Sequence, residues 1–116
     1  MGSSPKVIMA HLPKQKIHEY YQHFIHELDE VGFAHDEDTF VTKMKKIKKQ
    51  GYYLSRGELD PNVSGLSVPI KFSSKEAPLS LTVLASKNRF EFINTDKLIE
   101  ILKDSAAQIE KRYQAL

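Results

Sequence analysis

The sequence predicts an α+β fold: an antiparallel sheet flanked by helices. Three observations carry that prediction. An apolar period of three to four residues runs from Pro13 to Val31 and recurs around Phe40 and after Thr95. Between those helical stretches, Val63 to Phe72 and Pro78 to Ala85 alternate with period two. Strands and helices are therefore grouped along the chain and do not alternate, which is the α+β pattern.

The first helix is expected from Pro13 to Val31. Ile17, Tyr20, Tyr21, Phe24, Ile25, Leu28 and Val31 share its apolar face. Pro13 suits the first turn, and Gly32 suits a left-handed stop. Gly32 to Glu37 is a loop. Asp36 or Asp38 caps a second helix, whose buried positions are Phe40, Met44 and Ile47 and whose end is Gly51. Tyr52 to Ser55 is a short strand, and Arg56 to Asn62 is a loop with an Asp60-Pro61-Asn62 turn. The two longer strands follow, joined through Ser73-Ser74-Lys75-Glu76-Ala77 as antiparallel neighbours. Pro69 lies inside the first of them, so its nitrogen should face no ladder partner. Thr95 then caps a last helix carrying Leu98, Ile99, Leu102, Ala106, Ile109 and Tyr113.

Each long strand has one aliphatic face and one mixed face. Leu66, Val68 and Ile70, with Leu79, Leu81 and Val83, should pack on helices. The other faces carry Val63, Gly65, Ser67 and Pro69, then Ser80, Thr82 and Leu84. Small and hydroxyl side chains make a poor core but suit the wall of a small polar cavity. Pattern alone leaves a solvated sheet face as the other reading, and slightly favours it.

The 116 residues fit one domain, with 41% hydrophobic and 28% charged residues, as in ordinary globular chains. No cysteine is present, which excludes disulfides and thiolate metal sites and fits a cytoplasmic setting. No apolar run reaches membrane-spanning length. The formal charge of +2 is too small to argue for nucleic acid.

Motifs for chemistry are mostly lacking. His18-Glu19 and His23 are one residue too far apart for the HExxH zinc pattern. His23 and His26 sit beside the apolar stripe, so a metal site is disfavoured. The run Lys43-Met44-Lys45-Lys46-Ile47-Lys48-Lys49 has no interleaved aromatics, and a solvated helix face is the better reading. No nucleophile elbow or phosphate-binding glycine loop occurs. Glu58 and Asp60 lie in a turn, where acidic residues are common. No metal, cofactor or catalytic residue is expected.

The stretch from Gly51 to Arg89 resembles the effector-binding domain of the IclR family of bacterial transcription regulators. The resemblance rests on Gly51-Tyr52, Glu58, Val63 to Pro69-Ile70, Leu79 to Leu84 and Arg89. Upstream, Lys6-Val7-Ile8-Met9-Ala10-His11-Leu12-Pro13 is similar to the family's "G-K-A-L-L-A-x-L-P", and Ala106-Ala107 fits its final helix. The sequence departs from the family at Asn62, where glycine is usual, and at Ser67-Val68, where small residues are usual. The family's winged helix-turn-helix and the first strands of its sensing domain have no counterpart in these residues, as in a piece of a longer domain. Met1-Gly2-Ser3-Ser4 could be a vector remnant or native chain, and the resemblance implies that Gly2-Ser3-Ser4-Pro5 is native, since it falls where the family has a small-residue turn.

The resemblance implies a GAF-like fold with a ligand cavity on one sheet face, and small carboxylates or aromatic acids as ligands. It maps the carboxylate seat onto Ser3 and Ser4, at a helix start where backbone N–H groups favour anions. It maps further pocket positions onto Ser55, Val63, Gly65, Thr82 and Leu84. Gly65 stands where the glyoxylate-sensing type has cysteine, and Leu84 where it has a hydroxyl, so a less polar ligand is expected. The implied function is effector sensing that biases attached DNA-binding domains, in a homodimer or homotetramer. The alternatives are an oligomerisation domain with a vestigial pocket and, far behind, a small enzyme using His18 or His23.

Overall fold

The computed structural model describes residues 3–58, 60–71 and 79–114, excepting the side chains of residues 3, 4 and 114. The elements are α1 (Ser3–Ala10), α2 (Lys14–His23), α3 (Ile25–Glu30), α4 (Glu37–Gln50), β1 (Tyr53–Arg56), β2 (Val63–Ile70), β3 (Leu79–Ser86), α5 (Lys87–Glu91) and α6 (Thr95–Gln114). The three strands form one antiparallel sheet in the order β1-β2-β3. The link expected at Ser73 to Ala77 lies outside the described residues, but the strands on either side pair as expected, Val63 with Ser86 through Ile70 with Leu79.

Four elements differ from the sequence reading. The first is α1, which periodicity missed because eight residues give barely two turns of pattern. The second is the helix expected from Pro13 to Val31, which is broken in two at Phe24. Phe24 leaves helical geometry at φ −114° and ψ 23°. Its ring packs on Tyr20 at 4.5 Å and meets His23 edge-on at 4.6 Å. No glycine or proline marks the break. It leaves Tyr21 and Leu28 buried but Val31 exposed, so Val31 is no core residue. The third is the cap of α6. Asn94 Oδ1 accepts from the Lys97 backbone N–H at 3.1 Å, so Asn94 caps the helix in place of Thr95. The fourth is the short α5, which the sequence reading left out.

α4 is as expected. Asp36 accepts from the Thr39 N–H at 2.7 Å, Phe40, Met44 and Ile47 are buried, and Gly51 closes the helix at φ 77°. A side chain at that φ would be strained.

The core falls into two clusters, one on each side of the sheet. Leu66, Val68 and Ile70 of β2 pack with Phe90, Leu102 and Ala106, so the aliphatic face lies under α5 and α6. Leu98 and Ile99 join from the side, but Ile109 and Tyr113 are exposed, so the predicted stripe of α6 runs past the sheet. On the other side α1 lies against all three strands. Behind α1 come Tyr21, Leu28, Phe33, Phe40, Met44 and Ile47.

β1 is half as long as β2 and ends opposite Ser67. The Val63 carbonyl accepts from the Gly57 N–H at 3.0 Å, so the odd residues of β2 direct their backbone polar groups toward the β1 side. Pro69 is the odd residue beyond the end of β1, and its nitrogen faces no strand, as its place in the sequence predicts.

Candidate functional site

The register puts Ser55, Gly65 and Leu84 in one row across the sheet, with Tyr53, Ser67 and Thr82 in the next. Val63 lies two residues before Gly65 and shares its side of the sheet. All five strand positions singled out from the sequence thus lie on one face, the one beneath α1. That face is not simply solvated. Ser67 is fully buried, Ser55 is 5% exposed, and Gly65 is buried. Val63 and Thr82 are half-buried, and Leu84, on the outer strand, is 69% exposed. The solvated reading holds for Leu84 and fails for the middle strand.

Hydroxyl groups on this face satisfy one another. Ser67 Oγ and Thr82 Oγ1 are 2.7 Å apart. Buried hydroxyls need such partners, because an unpaired one costs about 1–3 kcal/mol. Ser3 and Ser4 are the first two residues of α1, which places their backbone at a helix start.

A second constellation was not anticipated as a site. A cleft of about 310 Å³ opens between α1, the loop after α3, α4 and the end of β1. Its lining includes Lys6, Phe33, Lys43, Lys46, Tyr53 and Glu58. None of the five strand positions singled out from the sequence lines it. Lys6, on α1, is only 2% exposed. Its ammonium pairs with the Glu58 carboxylate and lies 4.3 Å from the centre of the Phe33 ring and 4.9 Å from that of Tyr53. Glu58 also accepts from the Tyr53 hydroxyl.

The electrostatics follow from this geometry. Burial holds the Lys6 pKa below its ordinary value, and the hydrogen bond and charge of Glu58 push it back up. Burial raises the Tyr53 phenol, and Glu58 adds to that by accepting its proton bond and by its negative charge. Lys43 donates to the Phe33 carbonyl and lies 4.6 Å from the centre of its ring. This lysine therefore departs from the solvated helix face expected of its run, whereas Lys45, Lys46, Lys48 and Lys49 are exposed. The one available sequence signal was a lysine at position 6 directly before the apolar run Val7-Ile8-Met9-Ala10.

The histidines form no shared site. His18 pairs with Glu37 and His35 with Asp29, both at the surface. No group of three or more metal-binding side chains comes together among the described residues. No helix among them is long and apolar enough to cross a membrane.

The family model described as the bacterial transcriptional regulator IclR C-terminal domain matches residues 1–111. No curated protein matches. Solved structures do. The C-terminal domain of a transcriptional regulator from Vibrio cholerae is 29% identical with a TM-score of 0.73, over 92% of this chain and 60% of that one. The effector domain of an IclR transcriptional regulator from Acinetobacter sp. ADP1 is 16% identical with a TM-score of 0.77, over 96% and 64%. An IclR homologue from Microbacterium hydrocarbonoxydans, complexed with 4-hydroxybenzoate, is 20% identical with a TM-score of 0.79, over 99% and 45%. The chain spans less than two-thirds of the length of each.

Proposed function

The chain belongs to the IclR C-terminal family of bacterial transcriptional regulators, and from that premise we propose that it senses a small organic acid on the sheet face beneath α1. The family is one of regulators and not of enzymes. The observation that carries the reading is the polar, partly buried sheet face under α1, with Ser55, Gly65 and the Ser67–Thr82 hydroxyl pair. Val63 and Leu84 flank it with apolar surface.

In this reading the acid group meets the backbone N–H groups where α1 begins, at Ser3 and Ser4, and Thr82 holds the same end. The body of the ligand lies along Gly65 toward Val63 and Leu84. The 4-hydroxybenzoate bound by the Microbacterium homologue is an acid of the expected kind. The ligand stabilises one placement of α1 on the sheet over another and so biases attached winged helix-turn-helix domains, in a cytoplasmic dimer or tetramer.

A panel of organic acids tests this by thermal shift. A ligand at a hundredfold excess over its Kd adds about 2.7 kcal/mol of stability. Thr82→Val should abolish the shift while leaving the free domain folded. No shift across hydroxybenzoates, keto acids and dicarboxylates would defeat the reading. A second reading, an assembly domain with a vestigial pocket, draws on the burial of Ser67 and the exposure of Leu79 and Leu84. It predicts concentration-dependent association that no acid alters.

A further inference from the structure

The cleft beside Lys6 is not part of the polar sheet face, yet it has the attributes of a binding site. We propose that it is a separate anion site for a small carboxylate with a flat apolar body, a single-ring acid being the fitting class. The reading does not depend on the sheet-face site.

Size and charge lead to that class. A volume of about 310 Å³ lies at the lower end of small-molecule pockets, roughly 300–1,000 Å³. Among the described residues, three lysines and one glutamate line the cleft. Lys6 and Glu58 neutralise each other at its inner wall. Lys43 and Lys46 are then surplus, and neither has a carboxylate partner among the described residues. They lie three residues apart on α4, a spacing that puts both ammonium groups on one side of the helix.

The apolar part of the lining is Phe33, Ile47, Val31 and the Tyr53 ring. Lys43 already lies over the face of Phe33, held by the ring and by the Phe33 carbonyl. Neither the ring nor the carbonyl carries a full charge, so a carboxylate is the stronger partner for the ammonium. An incoming acid offers Lys43 and Lys46 that better partner and lays its ring on Phe33 and Ile47. Gly32, at φ 75°, lines the cleft, with open space within 4 Å of where a Cβ would stand.

Amide NMR titration with benzoate tests the proposal, with benzamide as the uncharged counterpart. Saturable shifts are expected at Gly32, Phe33, Lys46 and Ile47. Benzamide should bind at least about tenfold more weakly, as should benzoate to the Lys43→Gln/Lys46→Gln double variant. Lys46 is exposed and Lys43 half-buried, and the variant's spectrum reports whether the fold is kept. Thr82→Val should leave these shifts unchanged, which separates this cleft from the sheet face. Shifts confined to Gly65 and Thr82, equal binding of benzamide, or loss of the cleft shifts in Thr82→Val would each overturn the proposal. So would full benzoate affinity in the double variant.

Discussion

Replacing Glu58 with glutamine should be far more damaging than replacing the lysine it pairs with. The Lys6 side chain is 2% exposed and that of Glu58 30% exposed. Glu58→Gln leaves a buried ammonium with no counter-charge. Removing one partner of a fully buried pair costs about 3–5 kcal/mol. The Phe33 and Tyr53 rings remain under the cation, and glutamine can still accept from Tyr53, so the low end, about 3 kcal/mol, is expected. Lys6→Met removes the charge that was costly to bury. The Glu58 carboxylate, already part-solvated, regains water and keeps its bond from Tyr53, while the thioether fills the stem's space against two rings. Its cost should stay below about 1 kcal/mol. The double variant should be more stable than Glu58→Gln alone. Urea unfolding at pH 7 reads this directly. With m near 1.5 kcal/mol per M, the midpoint of Glu58→Gln falls by about 2 M. The Lys6 pKa is already depressed and falls further without Glu58. The unfolded chain then holds the proton that the folded chain sheds, so the Glu58→Gln deficit should shrink as pH rises from 7 toward the ordinary lysine value of 10.5. A Glu58→Gln midpoint within error of the parent, or a larger loss in Lys6→Met, would refute the reasoning.

Other positions give sharper single readings. His11 has a pKa held below the ordinary 6.5 by burial, against the opposing effect of the bond its ring donates to the Val7 carbonyl, so its share of stability is present above about 6.5 and lost as pH falls below it; urea midpoints between pH 7.5 and 5.5 should fall for the parent and stay flatter in His11→Leu. Asn94→Ala should cost about 1 kcal/mol through the lost cap of α6, which calorimetry would register as a drop in Tm of about 4 °C. Phe40→Ala, at a site 1% exposed in contact with three other rings, should cost about 3–5 kcal/mol, while Phe92→Ser, at 90% exposure, should stay within about 0.5 kcal/mol in the same denaturation assay.

The strands were legible because alternation is a local signal, and their faces followed from it without knowledge of their neighbours. α4 was legible because Asp36, the Phe40–Met44–Ile47 stripe and Gly51 all agree on its limits. The break at Phe24 was not, since the apolar period runs through it unbroken and no glycine or proline marks it. The shared face of Ser55, Val63, Gly65, Thr82 and Leu84 could be read from pleat and pairing. What covers that face could not, because α1 is too short for its pattern to register. The Lys6 cleft was hidden for a related reason. It joins residues from four separate segments, and Glu58 reads in the sequence as an ordinary acidic turn residue.

Pro69 shows how a misfit can be the stable choice. In the middle strand of a sheet, proline usually deletes a ladder bond and weakens the pairing. Here β1 has already ended, Pro69 is buried, and among the described residues no strand on that flank could receive a donor. Any other residue would bring an N–H into this interior with no strand acceptor, at a cost of about 1–3 kcal/mol if it stayed unpaired. The short first strand and the proline are therefore one design: the sheet can stop being three strands wide inside the core because the backbone at that step has nothing left to donate.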